Sequence, residues 1–383
     1  MSASRREWAG GSILAIDEAA DLADPISTDN GEARLIAPLR GNPDFLAKLY
    51  KTPRGDAEAT RLDRLISIPE DDGPATMLRG DSSWPVARIR SEHHACTGVV
   101  IPRAPERFRA QVQSGTTLVE RYLDVDLLAK PADALVKRGL TAPTPPDRLT
   151  AAGHIVRIGA AMESLGLVYS DWSYSNAFWA PQDWSIYLID VDGCAFTTTT
   201  NLCQPNWEDP LTPRVAPADT YVDRYRVALL TARCLTARRD RLQAARALVS
   251  ETHCWNRATA EVLLDILLAR ERRHRPSLGT LRIVLEGGPY VFVPGRRTPL
   301  PPEPQITVVA GASLASNGVG GPNVRLPGSS KATPPSVGST GVTRPGVPKQ
   351  RSKPTRLDIP FAAAFTSLGM VTLLIIILAI ANR

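Results

Sequence analysis

The sequence predicts an α+β fold that gives way to a polar linker and one apolar segment near its C-terminus. Three observations carry this. The alternating run Phe45-Leu46-Ala47-Lys48-Leu49-Tyr50 reads as a strand and leads directly into a helical pattern. Further on, Leu149, Ala152, Ile155, Val156, Ile158, Ala161, Met162 and Leu165 recur at helical spacing, on a face broad enough to be largely buried. Between residues 166 and 193, short apolar runs end in the polar residues Asp171, Asn176 and Asp190.

In chain order, the first strand places Leu46, Lys48 and Tyr50 on one face, since side chains alternate along a strand. Lysines on strands are exposed by default, so Lys48 gains meaning only from the helix and the polar loop downstream of it. That helix is expected over residues 57–68 with Leu62, Leu65 and Ile66 as its apolar stripe, and Glu58 lies one turn before Leu62 on that side. Ser83-Trp84-Pro85-Val86 and Gly98-Val99-Val100-Ile101-Pro102 read as two more strands. His154 in the helix over 148–165 reads as a core or groove histidine, because no Cys, His or acidic residue lies one turn away to share a metal.

The stretch from Gly166 to Gly193 carries the chemistry. Leu165, Leu167 and Val168 run up to Asp171, a polar turn comes next, Ala177-Phe178-Trp179 resume the apolar run, and residues 186–189 form a strand ending at Asp190. Side chains at the ends of such strands emerge at one rim. There Asp190 and Asn176 can hold a divalent cation through oxygen ligands while Asp171 orients a hydroxyl. Phosphoryl transfer needs little else locally, because positioning and charge neutralisation supply most of its catalysis.

At these residues the chain resembles the protein kinase superfamily, in the form of a divergent bacterial eukaryotic-like Ser/Thr kinase. The family's catalytic loop has an Asp followed five positions later by Asn, and its metal-binding Asp ends the next strand. Tyr169-Ser170-Asp171, Asn176 and Asp190-Val191-Asp192 match that order here. The resemblance implies a bilobal protein-kinase-like fold over residues 13–294, with a small β-rich N-lobe (about 13–103) and a larger helical C-lobe (about 104–294). It implies Asp171 as catalytic base, Asn176 and Asp190 as Mg²⁺ ligands, and Lys48 as the lysine of the ATP phosphates. Glu58 is implied as the ion-pair partner of Lys48, with Asp63 in reserve. Gly31 would sit in the phosphate-covering loop, and backbone groups at Val100, Ile101 and Arg103 would face the adenine. Pro205-Asn206-Trp207-Glu208-Asp209-Pro210 resembles the end of an activation segment, Asp223 the anchoring Asp of the central helix, and Arg275-Pro276-Ser277 the signature near the domain's end.

Departures from the family pattern are equally specific. The segment from Ile26 to Leu35 keeps only Gly31 of the expected glycines. Tyr169-Ser170 replaces His-Arg, so no loop arginine is available to receive a phosphate on the activation segment, although Thr197 to Thr200 supply hydroxyls there. Asp209-Pro210-Leu211 lacks the glutamate that pairs with the position of Arg275, and Glu208 is the candidate substitute.

Beyond the domain, residues 295–360 are rich in Pro, Gly, Ser and Thr, a composition that predicts a disordered linker. Its seven Lys and Arg between Arg325 and Arg356 are unopposed by any acid, and they account for most of the chain's net charge of +6. Residues 361–381 carry no charge, and 21 residues of helix span about 31 Å, close to the ~30 Å core of a bilayer. These features predict a single-pass C-terminal anchor in the cell membrane, basic linker residues drawn to anionic lipid, and the kinase-like domain in the cytoplasm. Residues 1–12 read as a tail without a signal peptide. The five cysteines are widely spaced and suit a reducing compartment without a metal site. No nucleic-acid partner is expected, since the basic cluster lacks stacking aromatics. The sequence therefore predicts a membrane-tethered protein Ser/Thr kinase using ATP and Mg²⁺ on unidentified protein substrates, with the linker hydroxyls as sites of autophosphorylation. Two readings stand beside it: an inactive pseudokinase that binds nucleotide as a signalling scaffold, and a small-molecule kinase of the aminoglycoside or choline type.

Overall fold

The computed structural model describes residues 7–69 and 71–302. Its N-terminal lobe contains β1 (Ile13–Ala15), α1 (Glu18–Asp21), β2 (Ser27–Asn30), β3 (Ala33–Leu39), β4 (Asn42–Arg54), α2 (Asp56–Ile66), α3 (Gly73–Asp81), β5 (Ala87–Arg90) and β6 (Cys96–Pro102). The strands form one six-stranded sheet in the order β1-β5-β6-β4-β3-β2. β1 lies parallel to β5, and the other neighbours are antiparallel.

β4 carries the lobe. Its alternation sends Phe45, Ala47 and Leu49 into one apolar cluster with Ile89 and Val100, and Tyr50 into a second with Ala59, Leu62 and Val99, where Leu46 packs alongside. Lys48 shares that second face. Gly98 lies opposite Leu49 on β6, and a Cβ there would stand 2.5 Å from the Lys48 carbonyl oxygen. Only glycine lets the two backbones approach so closely. The strand expected at Ser83-Trp84-Pro85-Val86 begins instead at Ala87. Trp84 is fully buried in the core of the helical lobe and the Ser83 amide donates to the Leu188 carbonyl at 2.8 Å, so this stretch joins the lobes and leaves the sheet to Ala87–Arg90.

The C-terminal lobe opens with the hairpin β7 (Arg109–Ser114) and β8 (Thr117–Tyr122), then α4 (Ala132–Val136) and the long α5 (Pro145–Ser164). Thr144 and Asp147 form a reciprocal capping box at the start of α5, which satisfies amides that the first helical turn leaves without partners. Short strands β9 (Leu167–Val168), β10 (Ala177–Trp179), β11 (Ile186–Leu188) and β12 (Ala195–Phe196) come next, β10 pairing with β11 and β9 with β12. The lobe is completed by α6 (Thr220–Thr236), α7 (Arg241–Ser250), α8 (Arg257–Leu267) and α9 (Leu278–Leu285).

α6 is buried on nearly every side. Where it meets α5, a Cβ on Gly159 would touch Val227 and Leu278 at 3.0 Å, so the helices pack at a separation a larger residue would widen. Val227, Leu229 and Leu230 are fully buried there, each stabilising the lobe by about 1.5–3 kcal/mol.

Both expected domain limits fall short of the observed ones. Trp8 packs on Phe45 with ring centroids 5.0 Å apart, so the fold reaches into the stretch read as a tail. At the other end the Thr298 amide donates to the Leu268 carbonyl at 2.8 Å, the Arg270 amide to the Arg296 carbonyl at 2.9 Å, and Leu300 packs against the core. The rest of the predicted linker and the apolar segment 361–381 lie outside the described residues. Among the described residues no helix is long and apolar enough to cross a membrane.

Candidate active site

A cleft of about 920 Å³ is lined by residues of both lobes, among them Gly31, Glu32, Ile36, Lys48, Glu58, Asp171 and Asp190. β4 sends Lys48 into its floor, and the hairpin between β2 and β3 covers it. Gly31 turns that hairpin with φ +53°, a conformation open to glycine at little cost. The single retained glycine is thus the one the turn requires.

Lys48 is buried, and its ammonium meets three carboxylates: Asp192 at 2.9 Å, Asp190 at 3.1 Å and Glu32 at 3.3 Å. Burial works against its charge, but these carboxylates more than compensate and hold the ammonium well above the ordinary lysine range. Asp192 is the most deeply committed of the three. It is buried, accepts from Lys48 and from the Tyr50 hydroxyl at 2.8 Å, and sits below the usual carboxylate range because those partners outweigh its burial.

Glu58, expected on Lys48, is elsewhere. Its carboxylate accepts from Arg61 at 3.0 and 2.9 Å and faces Arg54 at 3.6 Å. The reserve candidate Asp63 pairs with Arg88 at 2.7 Å. The physical reason is competition, since the ammonium is already satisfied from below while two arginines flank Glu58 on and beside its own helix. α2 contacts the turn after Asp190 through Arg61 instead, whose guanidinium donates to the Asp192 carbonyl at 2.8 Å and to the Cys194 carbonyl.

The loop that carries Asp171 is held from beneath. Asp223, at the start of α6, accepts from the Tyr169 amide at 2.7 Å and the Ser170 amide at 2.9 Å. Burial pushes its carboxyl up to about 6 despite those bonds. Ser170 adopts φ +66°, an uncommon conformation for a residue with a Cβ, and the Asp223 bonds fix it. Arg226, one turn along α6, donates to the Ser170 and Leu202 carbonyls and to Asn201 Oδ1. A buried arginine from α6 therefore ties the loop to the segment beyond it, where the family pattern would have used a loop arginine. Tyr169, at the expected histidine position, donates its hydroxyl to the Ile189 carbonyl at 2.7 Å and so supports the strand that delivers Asp190.

Asp171 reaches the cleft with its carboxylate beside two neutral side-chain amides, that of Asn176 and that of Gln204, whose Nε2 approaches Oδ1 at 3.5 Å. Burial raises its carboxyl above the ordinary range. The Asn176 side-chain amide donates to the Asp171 carbonyl at 2.8 Å, which directs its Nδ2 into the loop and leaves Oδ1 as the oxygen donor. Asp190 adopts φ +55°, ψ +31° and keeps 45% of its side chain exposed, enough to accept a second ligand. Burial raises its carboxyl too, against the pull of Lys48. A half-exposed carboxylate and an amide oxygen are hard ligands of the kind Mg²⁺ takes, one or two from the protein with water and phosphate filling the rest of its shell.

Two further expectations need correction. Val100 and Ile101 are buried in the lobe's two cores; Val100 pairs with Ala47 and Ala87 on either side, and Ile101 pairs with Leu46. The Arg103 amide donates to the Asp44 carbonyl at 2.8 Å and the Pro102 carbonyl accepts from the Tyr187 hydroxyl at 3.3 Å. The Val100 carbonyl, which accepts from the Val86 amide at 2.9 Å, and the Arg103 amide are thus committed within the protein. Secondly, the partner of Arg275 is Asp209, in bonds of 2.7 and 2.5 Å with both residues buried; Glu208 turns outward to Arg214. The shorter aspartate suffices because it stands at the position closest to the arginine.

Asp192, Tyr50, Glu32, Gln204 and Arg226 also belong to the site, though the sequence pattern did not single them out. Two of these had a signal. Tyr50 shares the strand face of Lys48, and Asp192 is a second carboxylate two residues after Asp190.

A β-sheet lobe with one long helix, a helical lobe built on α6, and Lys48, Asp171, Asn176 and Asp190 drawn to or beside the cleft between them define a protein-kinase-like fold. No family model and no curated protein matches the chain. Solved structures similar to it include the "ROP18 kinase domain in complex with AMP-PNP and sucrose", 14% identical with a TM-score of 0.44, covering 69% of this chain and 78% of that one. Another is ROP2 from Toxoplasma gondii, described as a virulence factor with a protein-kinase fold and no enzymatic activity. It is 13% identical with a TM-score of 0.41, covering 66% of this chain and 75% of that one.

Proposed function

We propose that this chain is a protein Ser/Thr kinase, transferring the γ-phosphate of ATP to protein hydroxyls and tethered to the cytoplasmic face of the cell membrane by residues 361–381. The observation that carries the reading is the convergence of Lys48, Asp171 and Asp190 on one cleft with Asn176 beside them. Lys48 would bind the phosphates, releasing Glu32 as their charge replaces it. Asp171, whose carboxylate meets the neutral side-chain amides of Asn176 and Gln204 and no cation, would accept the proton of the acceptor hydroxyl. Asn176 and Asp190 would hold Mg²⁺, which when bound neutralises phosphate charge and orients the transferred group.

Glu32 on Lys48 and the placement of Glu58 on arginines favour the second reading, a scaffold that binds nucleotide without transfer. Against it stands the state of Asp171, buried enough for its carboxyl to rise yet not locked into an ion pair. Such a carboxyl is poised as a base. Incubating the full chain in detergent with labelled ATP, Mg²⁺ and generic protein acceptors tests the proposal: label is expected in acceptors and in the linker, and its absence alongside tight nucleotide binding would establish the scaffold instead. Deleting residues 361–381 is expected to move the protein from the membrane to the soluble fraction, and retention of the deleted form on membranes would refute the tether.

A further inference from the structure

A second cleft, of about 590 Å³, lies in the helical lobe beside the catalytic loop, with Tyr174, Gln204, Trp207, Arg233, Arg239 and Arg241 in its wall. It adjoins the first. Gln204, which lines it, places its amide 3.5 Å from Asp171 Oδ1 and donates to Ser173 Oγ at 3.0 Å. Tyr174 lies three residues after Asp171 in the same loop. A chain whose hydroxyl stands at Asp171 therefore meets this cleft as it leaves the reacting centre.

Charge sets what the cleft can accept. Its two acids are occupied elsewhere: Glu208 pairs outward with Arg214, and Asp240 caps α7 by accepting from the Gln243 amide at 2.8 Å. Its arginines are under-neutralised. Arg239 faces Asp126, but Arg233 donates to the Asn206 carbonyl at 2.8 Å and Arg241 to the Leu267 carbonyl at 3.4 Å, and neither meets a carboxylate among the described residues. Arg233 is only 2% exposed and lies 4.6 Å from the Trp207 ring centre and 5.6 Å from that of Tyr174; its Nε has no hydrogen-bond partner among the described residues. A buried cation held by aromatic faces and a carbonyl still lacks its counter-charge. Guanidinium forks beside it supply the geometry that binds carboxylates bidentately.

We propose that this cleft reads an acidic side chain of the peptide substrate, close in sequence to the hydroxyl presented to Asp171; the assignment rests on the kinase reading above. The same cations repel polyamine and quaternary-ammonium acceptors, so the cleft selects a peptide over aminoglycoside or choline.

The test is fluorescence anisotropy on the full chain in detergent, using two labelled dodecapeptides with a central serine flanked by glutamates or by lysines. The wild type is compared with Arg239→Glu, an exposed position, and Arg241→Glu, a half-buried one; both leave buried Arg233 in place, and nucleotide binding by each variant reports that the fold is intact. The glutamate peptide is expected to bind at least tenfold more tightly than the lysine peptide, the preference weakening with salt and collapsing or inverting in both variants. Equal binding of the two peptides, or a preference that both variants preserve, would overturn the proposal. Phosphate transfer to the same peptides separates the two readings. Acidic preference in binding without any transfer overturns the kinase reading and leaves the cleft's selectivity standing, whereas equal transfer to both peptides overturns the cleft alone.

Discussion

Asp192 and not Glu58 should control Lys48, and the two substitutions Asp192→Asn and Glu58→Gln separate these roles. At 2.9 Å the gross attraction between Lys48 and Asp192 is about 6 kcal/mol for an effective dielectric near 20. Much of that offsets desolvation. Removing one partner of a buried pair costs about 3–5 kcal/mol when nothing remains. Here Asp190 and Glu32 stay within 3.1 and 3.3 Å of Lys48, and an asparagine can still accept from Tyr50, so a cost of about 2–3 kcal/mol is expected. If that loss falls on phosphate positioning, the transfer rate drops about 30–150-fold. Glu58 has 42% of its side chain exposed and touches only arginines, so Glu58→Gln should cost under about 1 kcal/mol and change transfer less than about threefold. The assay is initial-rate phosphate incorporation with urea denaturation of each variant alongside. Loss of transfer in Glu58→Gln with full activity in Asp192→Asn would show that Glu58, not Asp192, controls Lys48.

Four further outcomes are expected. Asp209→Ala should destabilise the protein by about 3–5 kcal/mol in urea unfolding, since it leaves Arg275 charged and buried. Burial raises the Asp209 carboxyl and Arg275 lowers it further, for a net fall; its contribution is therefore present above the ordinary aspartate value and lost as pH falls through its depressed one. In pH–rate profiles the acid limb should lie above that of an ordinary aspartate, because burial raises Asp171 and the base must be ionised. Gln204→Leu removes a hydrogen bond that lowers Asp171 and should move the limb to higher pH; a shift to lower pH contradicts the assignment. Gly98→Ala should force β4 away at Lys48, weakening nucleotide binding more than it lowers the melting temperature, and an unchanged affinity would show that the close approach is dispensable.

Much of the architecture was legible because it rests on local periodicity. The alternation around Lys48 and the helical stripes of α2 and α5 are signals within a few residues, and each appears in place; Asp223 came from the family resemblance, and it holds the loop before Asp171. What escaped is decided by competition among distant groups. Nothing near Glu58 in sequence reveals that Asp192 and Glu32 will satisfy Lys48 first, nor that Arg61 will face back toward its own helix's Glu58. The same holds for Asp209, whose fit to Arg275 depends on the path of the segment between them. At Val100 and Ile101 the strand was read correctly, but the depth of its pairing was not, because two neighbouring strands consume backbone groups that a sequence shows as free.

Asp171→Asn separates nucleotide binding from transfer, with Mg²⁺-ATP affinity and the rate of phosphate transfer measured on the same preparation. Asparagine keeps the shape of the side chain and removes its basicity. Affinity is expected to stay within about threefold of the unsubstituted protein and the transfer rate to fall by about 10²–10⁴-fold, the usual contribution of a general base. Transfer that survives the substitution unchanged would contradict the role of Asp171 as base, because the hydroxyl's proton would then be leaving by a route that does not pass through Asp171.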